Sequence, residues 1–386
     1  MEVCVLNTII NKLLGFIKSE VVLCVSFLLA AASSFIIKPD SQYIKYIDWN
    51  TLLLLFALMA VMAGLQQLGL FSKIGNILLS KISTTRQMML ILIFLPFVLS
   101  MFITNDVALI TFVPFGLVVL NMVDKQNLAI PLVIFQTIAA NLGSMLMPMG
   151  NPQNLYLYAQ SGMTLRQFIC VMLPYTVLSA ICLFFAVIFM KSTPFKRNAS
   201  SIKLTAEADR QADAPNRSYI LISGYVIGFA ICLLSVAKIL PNIVPAIIIL
   251  IFLLIFDRRI LGKIDYSLLA TFICFFIFIG NIGRHDSFCN FINQILSGNE
   301  RIVAVLASQI ISNVPAALLL SGFSNEWESL IVGCNLGGLG TLIASMASLI
   351  SYKQIAKQYP DKKGKYLGEF TLANIIMLII LLIAPF

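Results

Sequence analysis

Two short polar motifs carry the chemistry this sequence can offer. The first is Thr104-Asn105-Asp106, followed downstream by Asn141-Leu142-Gly143-Ser144 and Gly150-Asn151-Pro152. The second is Ser312-Asn313-Val314-Pro315, followed by Asn335-Leu336-Gly337-Gly338 and Thr341. Amide and hydroxyl side chains both donate and accept hydrogen bonds, so together they can hold a small ion that has shed its water. Each motif interrupts a stretch apolar enough to lie in a membrane. There, polar side chains and helix-breaking Gly and Pro persist only where they face protein or a water-filled cavity. The chemistry in view is therefore binding and release of a small solute at membrane depth.

A hairpin that stops mid-membrane leaves backbone N–H and C=O groups unpaired at its tip. Helices that begin at the tip aim their N–H groups and positive dipole end at the same place, which suits an anion. Carbonyls of unwound segments, with Asn and Thr oxygens, suit a small cation such as Na⁺. The candidate substrate contacts are Thr104, Asn105, Asn141, Gly143, Ser144, Asn151, Ser312, Asn313, Asn335, Gly337 and Thr341. The candidate coupling-ion positions are Asp106, Asn105, Asn313, Gly150 and Gly338. The alternative is that these groups only cap hairpin helices and satisfy backbone. Asp106 is the sharpest single residue, because an acid at the bilayer centre costs on the order of 3 kcal/mol. It reads as an N-cap for a helix over 107–122, as a cation ligand or protonation site, or as both. Val314 holds the equivalent place in the second motif.

The elements that must position these residues follow from composition. The 386 residues are 59% hydrophobic and 11% charged. A soluble domain carries about 25% charged residues, so the chain reads as an all-α polytopic membrane protein. The eight Cys are scattered without a CxxC pair and there is a single His, which argues against a disulfide framework or a His-based metal centre. Expected elements of the first half, 1–190, are an N-terminal surface helix, spans at 21–37 and 51–70, a re-entrant hairpin at 88–122, a broken helix at 128–160 and a span at 165–190. A cytoplasmic linker over 191–217 and a crossover span at 218–239 lead to a second half, 243–386, with its hairpin at 302–323 and its broken helix at 329–350.

With both hairpins re-entrant, 20 of the 26 Lys and Arg fall on the side of the N-terminus, which the positive-inside rule makes cytoplasmic. The expectation is a multi-pass protein of the cell (inner) membrane with its C-terminus outside. The formal charge of +9 is thus a topology signal, and no nucleic-acid partner is implied. The halves also echo one another. Tyr46-Ile47-Asp48-Trp49 is answered by Lys263-Ile264-Asp265-Tyr266, and 141–160 paired with 335–354 matches at Asn141/Asn335, Leu142/Leu336 and Gly143/Gly337. Because the crossover reverses the second half, the fold class expected is two inverted-topology repeats, an arrangement suited to alternating access.

The run Ile103-Thr104-Asn105-Asp106-Val107-Ala108-Leu109, with Asn141-Leu142-Gly143 and Gly150-Asn151-Pro152-Gln153-Asn154, resembles the ion transporter superfamily. That group includes citrate and dicarboxylate carriers, arsenite/antimonite permeases and a class of sodium/proton antiporters. The resemblance covers roughly 20–386 and implies an inner-membrane secondary carrier, often a homodimer. In the dicarboxylate branch the hairpin tips carry Ser-Asn-Thr motifs that contact substrate and line sodium sites. Both Asn are kept here, whereas Thr104-Asn105-Asp106 and Ser312-Asn313-Val314 look closer to the arsenite-permease and citrate-transporter-like branches. The expected function is cation-coupled transport of a small anion, a carboxylate such as citrate ahead of an oxyanion. Arsenite-type efflux and sodium/proton exchange are the rivals. Neither a HExxH motif nor a nucleophile with a basic partner points to an enzyme. No cofactor is expected beyond Na⁺ or H⁺ as coupling ion; the partners are the anionic substrate, the lipid bilayer and a second copy in a homodimer.

Overall fold

The computed structural model describes residues 20–79, 82–194 and 215–384. The surface helix expected near the N-terminus and most of the 191–217 linker lie outside the described residues. Within them the chain is helical, with one isolated antiparallel bridge between Thr84 and Pro194 and no strand. Among the described residues, six helices are long and apolar enough to cross a membrane, and Tyr266–Ile282 with Asp286–Leu296 forms a further apolar pair bent by 105°. The protein is thus an all-α polytopic membrane protein.

In chain order the first elements are α1 (Val21–Ile36), α2 (Tyr43–Tyr46), α3 (Trp49–Gln67), α4 (Leu70–Leu79), α5 (Thr85–Leu99) and α6 (Asn105–Met122). They are followed by α7 (Ala129–Ser144), α8 (Pro152–Ser161), α9 (Leu165–Ile188), α10 (Pro215–Val236), α11 (Ile243–Phe256) and α12 (Tyr266–Ile282). The remainder are α13 (Asp286–Leu296), α14 (Glu300–Ile311), α15 (Asn313–Ser321), α16 (Trp327–Leu336), α17 (Met346–Gln358) and α18 (Lys363–Ile383). The echoed Ile-Asp pairs do the same local work. Asp48 accepts the Thr51 N–H at 3.1 Å to cap α3, and Asp265 accepts the Leu268 N–H at 2.9 Å to cap α12. Each carboxylate sits at the positive end of its helix.

Packing then gathers these helices around one polar centre. α1 lies along α12, where Asn281 Nδ2 donates to Ser33 Oγ at 3.0 Å and to the Tyr43 hydroxyl at 2.7 Å. α3 packs on α10 and α11. Gln136, on α7, clamps α5 and α6 together by donating to the carbonyls of Leu92 at 2.9 Å and Phe112 at 3.1 Å. α17 crosses α6 and α7, and Thr137 donates to Ser351 at 2.7 Å. The outer faces carry exposed apolar residues such as Val177 and Phe185 on α9, Ile251 and Ile255 on α11, and Ile376 and Ile383 on α18. Such a surface matches a hydrocarbon solvent.

Candidate functional site

The site is built at two tips and two breaks. At the first tip α5 ends at Leu99, Ser100–Ile103 turn, and extended Thr104 leads into α6. Asn105 Oδ1 accepts the Asp106 N–H at 3.0 Å, so the amide closes part of the helix start. The second tip is a single residue. Ser312 joins α14 to α15 at φ 76° and ψ 154°. That conformation costs a non-glycine residue of order 1–3 kcal/mol and needs outside support. The Ala344 carbonyl supplies it, accepting the Asn313 N–H at 3.0 Å and the Ser312 hydroxyl at 3.4 Å.

The first break separates α7 from α8 through the turn Pro148–Gly150. Asn151 is extended and accepts the Asn154 N–H at 2.9 Å, and Pro152 takes the first helical position, where its missing N–H is no loss. Gly150 passes so close to the Ser144 carbonyl that a β-carbon would collide with it. The second break separates α16 from α17. Gln309 satisfies its loose backbone, donating to the carbonyls of Gly337 and Leu339 at 2.9 Å each and accepting the Thr341 N–H at 2.9 Å. Ser345 occupies the N-cap position of α17, also in extended backbone.

The breaks then exchange hydrogen bonds. Asn151 Nδ2 donates to Asn335 Oδ1 at 3.1 Å, and Ser345 Oγ donates to Asn141 Oδ1 at 3.2 Å. In the pairing of 141–160 with 335–354, Ser345 is the counterpart of Asn151 and Asn335 that of Asn141. Each N-cap residue therefore reaches the asparagine of the other half. Around this pair, Asn105 Nδ2 donates to Asn141 Oδ1 at 3.0 Å, Asn335 Nδ2 donates to Asn154 Oδ1 at 2.5 Å, and Asn151 Nδ2 also reaches Ser144 Oγ at 3.2 Å. Through these bonds and Ala344, the starts of α6, α8, α15 and α17 meet.

Two glycines allow this approach. A β-carbon on Gly143 would strike the Phe97 carbonyl and Ser100, and one on Gly337 would lie 2.5 Å from Ser308 Oγ. Ser100 and Ser308 each stand five residues before the tip asparagine, so the same contact is made twice. Gly338 similarly gives room to the Asn313 amide, 2.9 Å from where its β-carbon would be.

A cavity of about 150 Å³ opens at the first tip, with Thr104, Asp106, Asn151, Gln66, Lys263 and Asp265 in its wall. Of the shielded polar atoms that lack hydrogen-bond partners among the described residues, two belong to this site, Asp106 Oδ1 and Asn141 Nδ2. One is an acceptor and one a donor. A buried polar atom without a partner costs about 1–3 kcal/mol unless a ligand or water meets it.

Of the candidates named from sequence, Asn105, Asn141, Ser144, Asn151 and Asn335 form one hydrogen-bonded cluster. Thr104 and Asp106 line the cavity beside it, and Ser312 and Asn313 join it through Ala344. Gly143, Gly150, Gly337 and Gly338 act through close packing. Thr341 stands apart, exposed and held by Gln309. Ser345, Gln309 and Gln136 are not among the residues the sequence singles out, and Asn154 enters there only as part of the resembling run. Ser345 had a signal: Asn151 and Ser345 are both strong N-capping types at matched positions.

A membrane-embedded all-α fold with a polar cluster at helix breaks is an architecture suited to membrane transport. The citrate transporter family model matches residues 8–323, and the chain belongs to that family. It is 33% identical to an uncharacterized transporter of Methanocaldococcus jannaschii over 82% of this chain and 84% of that one. Identity to the inner membrane protein YbiR of Escherichia coli is 28%, over 80% of each chain. A shorter match, 32% over 36% of this chain and 28% of the relative, is to the silicon efflux transporter LSI3 of Oryza sativa subsp. japonica.

Proposed function

We propose that the protein is a cation-coupled secondary active transporter of a small anion, first a carboxylate such as citrate or a dicarboxylate, working by alternating access. One observation carries this reading: four helix N-termini, those of α6, α8, α15 and α17, converge on one hydrogen-bonded cluster. Their summed positive ends and the unpartnered Asn141 amide favour a carboxylate without a guanidinium clamp. Asp106, with an unpartnered oxygen in the adjoining cavity, is the residue for the coupling cation or proton. The match to the citrate transporter family supports the substrate class.

The reciprocal bonds between the breaks support reading the halves as inverted repeats that exchange conformations. The distribution of basic residues and the inner-membrane relative support an inner-membrane location with the N-terminus cytoplasmic and the C-terminus outside. No catalytic step belongs to this reading. The second reading is efflux of an oxyacid or oxyanion, favoured by the match to a silicon efflux transporter. Labelled citrate and succinate, offered to proteoliposomes under a Na⁺ gradient and a proton gradient in turn, separate the two. Uptake driven by one gradient supports the carboxylate symporter, and none under either moves the assignment to efflux.

A further inference from the structure

Two cavities share one wall residue. The cavity at the first tip and a larger one of about 590 Å³ both include Leu155 in their lining. Leu155 follows Asn154 on α8 and is buried, with 3% exposure. Facing the two cavities from α3 are Leu55 and Leu54 respectively, also buried. Leu155 thus borders both spaces where α8 packs on α3.

The larger cavity has its own chemistry. Its wall includes Asp48, Gln160, Asn242 and a single cation, Lys238. The Asp48 carboxylate is engaged by the Thr51 N–H and hydroxyl and by Gln160 Nε2 at 2.9 Å, and it faces the positive end of α3. The groups in direct contact with Lys238 are neutral. Its Nζ donates to the Met163 carbonyl at 2.8 Å and stands 4.6 Å from the centre of the Tyr158 ring, and it joins no ion pair among the described residues. The backbone there is constrained, with Lys238 at φ 61°.

We infer that the larger cavity is the outer vestibule of the transport path, an anion-collecting subsite built on Lys238 with Leu155 as its floor. A small carboxylate or oxyanion would pause at Lys238 and pass when α8 shifts against α3. The inference rests on the orientation proposed above but on no particular substrate.

Thiol labelling tests it without transport. No lining residue of either cavity is a cysteine, so Ala159→Cys, exposed in the vestibule wall, and Leu155→Cys can be compared with the parent chain. Membrane-impermeant anionic and cationic thiosulfonates of similar size are applied from outside to intact cells. Ala159→Cys is expected to label, with a preference for the anionic reagent that Lys238→Gln lowers about fivefold and Lys238→Arg preserves. Leu155→Cys is expected to label about tenfold more slowly than Ala159→Cys, because opening must precede reaction. Labelling of Ala159→Cys from inside only would overturn the outer assignment. A preference indifferent to Lys238→Gln would overturn the anion subsite, and equal rates at 155 and 159 would overturn the floor. Loss of citrate uptake alone would touch the proposed substrate and leave this inference standing.

Discussion

Asn151 Nδ2 donates to Asn335 Oδ1 at 3.1 Å, joining residues 184 positions apart at the breaks of two different helices. The bond is answered by Ser345 to Asn141 at 3.2 Å. Each break is thus braced by the residue at the other's N-cap position, so that a rearrangement at one costs a hydrogen bond at the other. That coupling is what a site presented to the two membrane faces in turn requires, since local change at one half must be felt at the other.

Replacing Asn335 breaks this brace most completely. Its amide donates to Asn154 Oδ1 and to the Ile331 carbonyl at 2.7 Å while accepting from Asn151. Asn335→Leu leaves the buried Asn154 Oδ1 unpaired, at about 1–3 kcal/mol, and leaves Asn151 Nδ2 with Ser144 Oγ alone. A lowered thermal midpoint of the purified protein is the expected result. Asn151→Ser, which copies the residue at the matched position, keeps an N-cap and should lose less than Asn151→Leu.

The glycine contacts give a sharper contrast. Alanine is ordinarily favoured over glycine within a helix by about 1 kcal/mol. Gly364→Ala and Gly368→Ala on α18, where a β-carbon meets nothing within 4 Å, should be neutral or stabilising. Gly143→Ala and Gly337→Ala should destabilise, because the new methyl meets Phe97 backbone or Ser308. Ser308→Gly should restore part of the loss in Gly337→Ala and none in Gly143→Ala, as read by thermal unfolding.

Asp106→Asn keeps the size of the side chain and removes its charge. Transport by this variant should lose or shift its dependence on Na⁺ or pH while its order of preference among carboxylates is kept. An unchanged ion profile would reduce Asp106 to a helix-start residue.

Much of this is legible in residue types and spacing alone. An Asn or Asp in an apolar run has few reasons to be there, so Asn105, Asp106, Asn141, Asn151 and Asn335 stood out by residue type alone. The doubled Asn-Leu-Gly also located both breaks, at α7/α8 and α16/α17. What stayed hidden was the partnering. Ser345 is a capping type at the position matched to Asn151, but its bond to Asn141, 204 positions away, exists only in the fold. Gln309 reads as an ordinary polar side chain on an amphipathic helix, and its role in closing the second break depends on carbonyls that exist only once that helix is broken. Gln136 does carry a signal in the sequence. A glutamine amid Ile, Val and Phe calls for a buried partner, and it finds two carbonyls.

The central claim is that substrate passes through the cluster anchored by Asn105. Its most direct test is gradient-driven uptake of labelled citrate and succinate into proteoliposomes by wild type and Asn105→Ala, with matched folding confirmed by size-exclusion profile. The account expects uptake by wild type under one cation gradient and loss of at least most of it in Asn105→Ala. Uptake by Asn105→Ala equal to wild type would contradict the site.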